Sequence, residues 1–195
     1  QGECCGAGGR SCRLLVAEPC SVSLKPMARR LSYSARYSHP VEKLYEAQST
    51  KQYWDDMMAG FQMISPHCEV EDFRSDETGL RVVLKQTIGR DQLPALAQTV
   101  LMKDMVITRE ESFGPFDPDN TKGDYTASIP AGPGSLNGWQ ELFPTETGCT
   151  IRKTTEVKVF IPFVNGKLEQ LMLVNLVDLF RAEAEYAADW VKKNL

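Results

Sequence analysis

Apolar and polar residues alternate near the start of the readable pattern: Leu31, Tyr33, Ala35 and Tyr37 fall on one face, and Ser32, Ser34, Arg36 and Ser38 on the other. A period of two is that of a half-buried strand. His39-Pro40 stops it, and "PVEKLYEAQ" reads as a short helix with Pro at its first position and Val41, Leu44 and Tyr45 turned inward. In "STKQYWDDMMAGF" a second short helix follows, opened by Ser49 or Thr50, with Trp54, Met57, Met58 and Phe61 on its apolar side and Gly60 at its end.

The middle of the chain reads as strands at 68–75, 79–88, 101–112, 121–130, 134–143 and 149–161. The segments between them, "SDETG", "DPDNTKGD", "PAGPG" and "PTETG", are dense in Gly, Pro, Asp and Asn. Such residues supply the fixed or positive φ of hairpin turns, so neighbouring strands are antiparallel. "RDQLPALAQ", at 90–98, interrupts the run with a single helical turn, an excursion of the kind found at a cavity rim.

After Pro162 the period changes to that of a helix over 164–193. At about 100° per residue, Leu168, Leu171, Met172, Leu176, Leu179, Ala182, Tyr186 and Trp190 form one side. Asn175 lies about 20° from the Leu168 axis and Glu183 about 60°, so both are predicted to face the sheet. A buried amide or carboxylate needs a partner, which makes each a candidate anchor for a ligand.

A curved sheet cannot bury its concave face against itself, so the long helix must lie across it. The predicted fold is α+β: a curved antiparallel sheet of about seven strands wrapped around a long C-terminal helix, with two short helices after the first strand. Curvature around a straight helix leaves room for a pocket, and binding pockets typically enclose ~300 to 1,000 Å³.

The element order from residue 27 to residue 195 resembles the START-like, helix-grip superfamily, which includes hydrophobic-ligand carriers of the birch-pollen allergen type. The stretch "VFIPFVNGKLEQLMLVNL", with Pro162, Gly166 and Glu169, and "RDQLP" at 90–94 resemble an uncharacterised actinobacterial branch of it. The resemblance implies a fold and an internal site for an apolar molecule. It carries over no catalytic residue, because lipid transfer proteins, polyketide cyclases and partner-binding modules share the fold.

The expected function is binding, transport or sensing of a lipid, polyketide or sterol-like molecule. Its expected ligand-binding residues are Tyr33, Trp54, Met58, Met105, Trp139, Met172, Asn175, Leu179 and Glu183. Aromatic side chains offer wide apolar faces with a polar handle, and methionines adapt to variable shapes. A cyclase or dehydratase using Glu183 as its acid is the enzymatic alternative. A partner-binding module is the third reading, with Phe113, Pro115 and Phe116 as its expected exposed surface. His39 and His67 flank prolines in predicted loops, and no P-loop, G-x-S-x-G, H-E-x-x-H or dinucleotide fingerprint occurs. No cofactor and no metal site is expected.

The formal charge of −4 and a pI near 5.3 argue against a nucleic-acid partner. The apolar runs fall short of the 18 or more residues of a membrane span, which leaves transient membrane contact open. Residues 1–26 hold Cys4, Cys5, Cys12 and Cys20 without helical or strand period and without paired C-x2-C knuckles. They are expected to be a disordered or non-native leader before a domain over 27–195. The two isolated cysteines, Cys68 and Cys149, suit a reducing cytoplasm.

Overall fold

The structure is a computed structural model that describes residues 29–195 apart from 63, 64, 66, 131, 133 and 162, so the 1–26 segment lies outside the described residues. The element order is β1 (Arg29–Tyr37), α1 (Val41–Gln48), α2 (Lys51–Phe61), β2 (His67–Asp76), β3 (Gly79–Ile88), α3 (Ala95–Gln98), β4 (Met105–Phe113), β5 (Thr121–Ser128), β6 (Gly134–Thr145), β7 (Gly148–Val159) and α4 (Asn165–Asn194). All seven strands pair antiparallel in one sheet of order β1-β7-β6-β5-β4-β3-β2. β2 through β7 join sequence neighbours, through short turns except for the 89–104 excursion between β3 and β4, and β1 closes on β7. The 101–104 segment, expected as strand, precedes β4 instead.

Two tight hairpins depend on glycine. Gly148 has φ +150°, and a Cβ there would lie 2.0 Å from the Tyr37 carbonyl oxygen. Gly79 has φ +125° and leaves similarly little room against Phe113 and Gly114. Only a residue without Cβ fits such positions.

The concave face of the sheet holds α4, which packs mainly on β1 and β7, while α2 covers β2. The buried residues of α4 are Leu168, Glu169, Leu173, Leu176, Phe180, Glu183, Ala187, Trp190 and Val191. This face is rotated by roughly a quarter-turn from the stripe predicted by sequence. Glu183 is buried as expected, but Asn175 is exposed. The cause is composition: Leu168, Leu171, Met172, Leu173, Val174, Leu176, Val177, Leu179 and Phe180 cover most of the helix circumference, so periodicity alone cannot select one face.

Two apolar clusters fill the interior. One joins α1 and α2 to β3, the Cys149 and Ile151 end of β7, and Ala187, Trp190 and Val191 of α4. The other joins Tyr125, Leu136, Val157 and Val159 to Leu168, Leu173, Leu176 and Phe180. Hydrogen bonds fasten α2 to α4: the Tyr186 hydroxyl donates to the Tyr53 carbonyl at 3.0 Å, and Trp190 Nε1 donates to Asp56 at 3.0 Å. Of the surface expected for a partner, Pro115 and Phe116 are exposed and Phe113 is not. Phe116 packs on Tyr45 with ring centroids 5.1 Å apart.

Candidate functional site: a buried ionic quartet beneath the long helix

Strand parity places charge on the concave face. In β7, Lys153 and Thr155 share the side of Ile151 and Val157, and in β4, Arg109 and Glu111 share the side of Phe113. Cross-strand pairing sets Arg109 beside Leu84, and Glu111 between Val82 and Tyr125. Lys153 thus falls between the two apolar clusters on β7, as Glu183 does on α4.

The four meet. Arg109 Nη1 lies 2.5 Å from Glu183 Oε1, Lys153 Nζ donates to Glu111 Oε2 at 2.9 Å, and the same ammonium is 3.5 Å from Glu183 Oε2. Arg109 Nε is 3.4 Å from Glu111 Oε1. Lys153 also sits over two ring faces, 5.2 Å from the Tyr125 centroid and 5.0 Å from that of Phe180. Two cations and two anions make the quartet formally neutral, which is what allows it to be buried.

Its hydrogen bonding is incomplete. Arg109 Nη1 is taken up by Glu183 Oε1, whereas Glu111 Oε1, with only the 3.4 Å contact to Arg109 Nε, and Gln48 Oε1 have no hydrogen-bond donor among the described residues. Arg109 itself is 2% exposed, so solvent does not complete the set.

The field of the quartet shows in its titration. Burial raises the Glu111 carboxyl, but Lys153 and Arg109 beside it overcome this and hold it below its ordinary value. Burial disfavours the Arg109 cation, and Glu183 and Glu111 more than offset it, so the guanidinium is held more firmly charged than usual. Burial and then the nearby Glu183 carboxylate push the Tyr37 phenol far up. Tyr53 moves the same way, chiefly by burial.

Beside the quartet lies a narrow space of about 30 Å³, lined by Tyr33, Tyr37, Gln48, Tyr53, Trp54 and Met57 and by Glu111, Lys153, Phe180 and Glu183. It has room for about one water molecule. The space is narrow, in contrast to the wide pocket expected from curvature.

Of the residues singled out by sequence, Tyr33, Trp54 and Glu183 come together at this space. Met58 is buried in the core near it without lining it, and Met57 takes that place. Met105 is half-buried at the start of β4, and Met172 and Leu179 are half-buried against the second cluster. Asn175 points to solvent, so it cannot serve the interior. Trp139 lies on the opposite face of the sheet, 39% exposed, with the Arg30 guanidinium 4.4 Å from its ring centroid. It borders an open outer groove of about 660 Å³ whose charged walls include Arg81, already paired with Asp72 and Glu110.

Sequence reasoning missed Arg109, Glu111 and Lys153. The available signal was a charged residue at a parity position otherwise held by apolar ones. Glu183 meets a cation at each oxygen, the arrangement of an anchored carboxylate rather than of a proton donor. Among the described residues there is no group of three or more His, Cys, Asp and Glu side chains able to hold a metal, and no helix long and apolar enough to cross a membrane.

Residues 32–191 match the DUF2505 family, described as proteins of unknown function. The chain belongs to this family. Its relatives include the uncharacterised protein Rv0481c of Mycobacterium tuberculosis (strain H37Rv) and the uncharacterised protein Mb0491c of Mycobacterium bovis. Each is 29% identical over 174 residues, covering 87% of this chain and 100% of the relative. Among solved structures, Ara h 8.0201 superposes with a TM-score of 0.54 at 12% identity, over 86% of this chain and 100% of its own. Protein Ms6760 of Mycobacterium smegmatis gives 0.52 at 10% identity, over 85% and 92%. TTHA0849 of Thermus thermophilus gives 0.51 at 17%, over 83% and 97%. At these identities the likeness establishes the fold, which is the helix-grip, START-like one.

Proposed function

We propose that the chain binds an apolar small molecule between the concave sheet face and α4, with the ionic quartet as the polar end of the site. One observation carries this reading: polar atoms without hydrogen-bond partners converge on an aromatic-lined space inside an otherwise apolar interior. An unpartnered buried polar atom costs about 1–3 kcal/mol, a deficit that a bound molecule or water can relieve. A START-like fold with a helix lying over a concave sheet is suited to such a site.

Binding requires the narrow space to widen. Tyr33, Trp54 and Glu183 line it already, with Tyr53 and Met57. Separation of α4 from the sheet would add Met172 and Leu179 from its half-buried flank. A carrier or sensor fits this arrangement, since the ligand would be sequestered from water and its entry coupled to helix movement.

The test is titration with the neutral dye N-phenyl-1-naphthylamine. Saturable fluorescence at one dye per chain is expected, and Ala184→Trp, which fills the space from α4, should abolish it while the circular dichroism spectrum stays native. Absence of saturable binding, or binding unaffected in a folded Ala184→Trp protein, would overturn the reading.

A further inference from the structure

The charge balance of the quartet restricts what a ligand can place against it. We propose, on the basis of the ligand reading above, that the buried polar group of the ligand is an uncharged hydroxyl and that carboxylates are excluded.

The four charges already cancel: Arg109 and Lys153 against Glu111 and Glu183, all four side chains at most 12% exposed. A ligand carboxylate would leave a buried net negative charge, and an ammonium a buried net positive one. Either is a heavy penalty among side chains this deeply buried. The wall of the space makes the anion worse still. Glu111, Glu183 and Lys153 line it and Arg109 does not, so carboxylates outnumber cations at the surface a ligand meets.

Lys153 is not free to compensate. It holds Glu111 at 2.9 Å and Glu183 at 3.5 Å, with the faces of Tyr125 and Phe180 around it. Turning it toward a ligand anion would strip Glu111 of its hydrogen-bond donor. The groups on this wall that lack a hydrogen-bond donor are acceptors, Glu111 Oε1 and Gln48 Oε1, since Glu183 Oε1 is taken up by Arg109. A hydroxyl supplies the missing donor without adding charge, which a carboxylate at neutral pH cannot do.

The experiment is displacement of N-phenyl-1-naphthylamine from the full chain near neutral pH by 2-naphthol and by 2-naphthoate, which share a ring system and differ in charge. The wild-type protein should bind 2-naphthol tighter by roughly tenfold or more. Glu183→Gln and Glu111→Gln each give the quartet one net positive charge, and each should shift the ratio toward 2-naphthoate by a similar factor. Equal or tighter binding of 2-naphthoate by the wild-type chain would overturn the inference even if neither variant folds, and so would an unchanged ratio in a folded variant. Preference for 2-naphthoate with saturable dye binding sinks this inference alone. Lack of any saturable dye site sinks the ligand reading, and this inference with it.

Discussion

Arg109 on β4 and Glu183 on α4 lie 2.5 Å apart between Nη1 and Oε1, joining the centre of the sheet to the helix that covers it. The contact is buried on both sides, so its strength depends on the two other members of the quartet remaining in place. Glu183→Gln leaves two cations facing one carboxylate and should lower stability by ~3–5 kcal/mol. The double variant Arg109→Met/Glu183→Met retains the neutral Lys153–Glu111 pair and should recover most of that loss. Urea unfolding of the single and double variants measures both, and a double variant as weak as the single one would show that the pair does not act as a charge unit.

Acid should unfold the protein partly through Glu111. Its carboxyl titrates lower in the folded chain than its ordinary value of 4.5. The stability it contributes is therefore complete above that value and is lost as pH falls through the depressed folded one. The urea midpoint should drop below pH 4.5, and Glu111→Gln should flatten that part of the profile. A parallel profile in a folded Glu111→Gln protein would assign the acid sensitivity elsewhere.

The orientation of α4 can be read from two substitutions. Phe180 is buried between the rings of Tyr33 and Tyr125, each with its centroid 5.7 Å away. Phe180→Ala should cost ~3–5 kcal/mol. Asn175→Ala, on the exposed side, should stay within about 0.5 kcal/mol of wild type. The reverse order would mean that the helix presents the face predicted by periodicity.

Glu169 anchors the start of α4 to the last strand. It is buried, and its Oε1 accepts the Val159 backbone N–H at 3.0 Å. Glu169→Gln keeps an acceptor, whereas Glu169→Ala leaves that N–H without one and should cost about 1–3 kcal/mol. Hydrogen exchange at the Val159 amide should accelerate in the alanine variant and remain close to wild type in the glutamine variant.

Most of the fold was legible along the chain. Alternation in Leu31–Tyr37 and in Ile151–Val159, with Gly79 and Gly148 at hairpin turns, specifies strands and antiparallel neighbours, because these are local consequences of side-chain direction and allowed φ. The existence and length of α4 are equally local. The sequence by itself determined the elements, their order and the need for a helix across a curved sheet.

Only the tertiary structure decided which side of α4 is buried and which charges meet. Leu171, Met172 and Leu179 are as apolar as Leu173, Leu176 and Phe180, so this part of the helix has no intrinsic face, and packing against β1 and β7 selects one. That selection exposes Asn175 and carries Glu183 to Arg109. Arg109, Glu111 and Lys153 stand at inward strand positions on β4 and β7 that local pattern does not connect. They form a neutral unit because β4, β7 and α4 converge, and convergence of distant segments is a property of packing that no local period records.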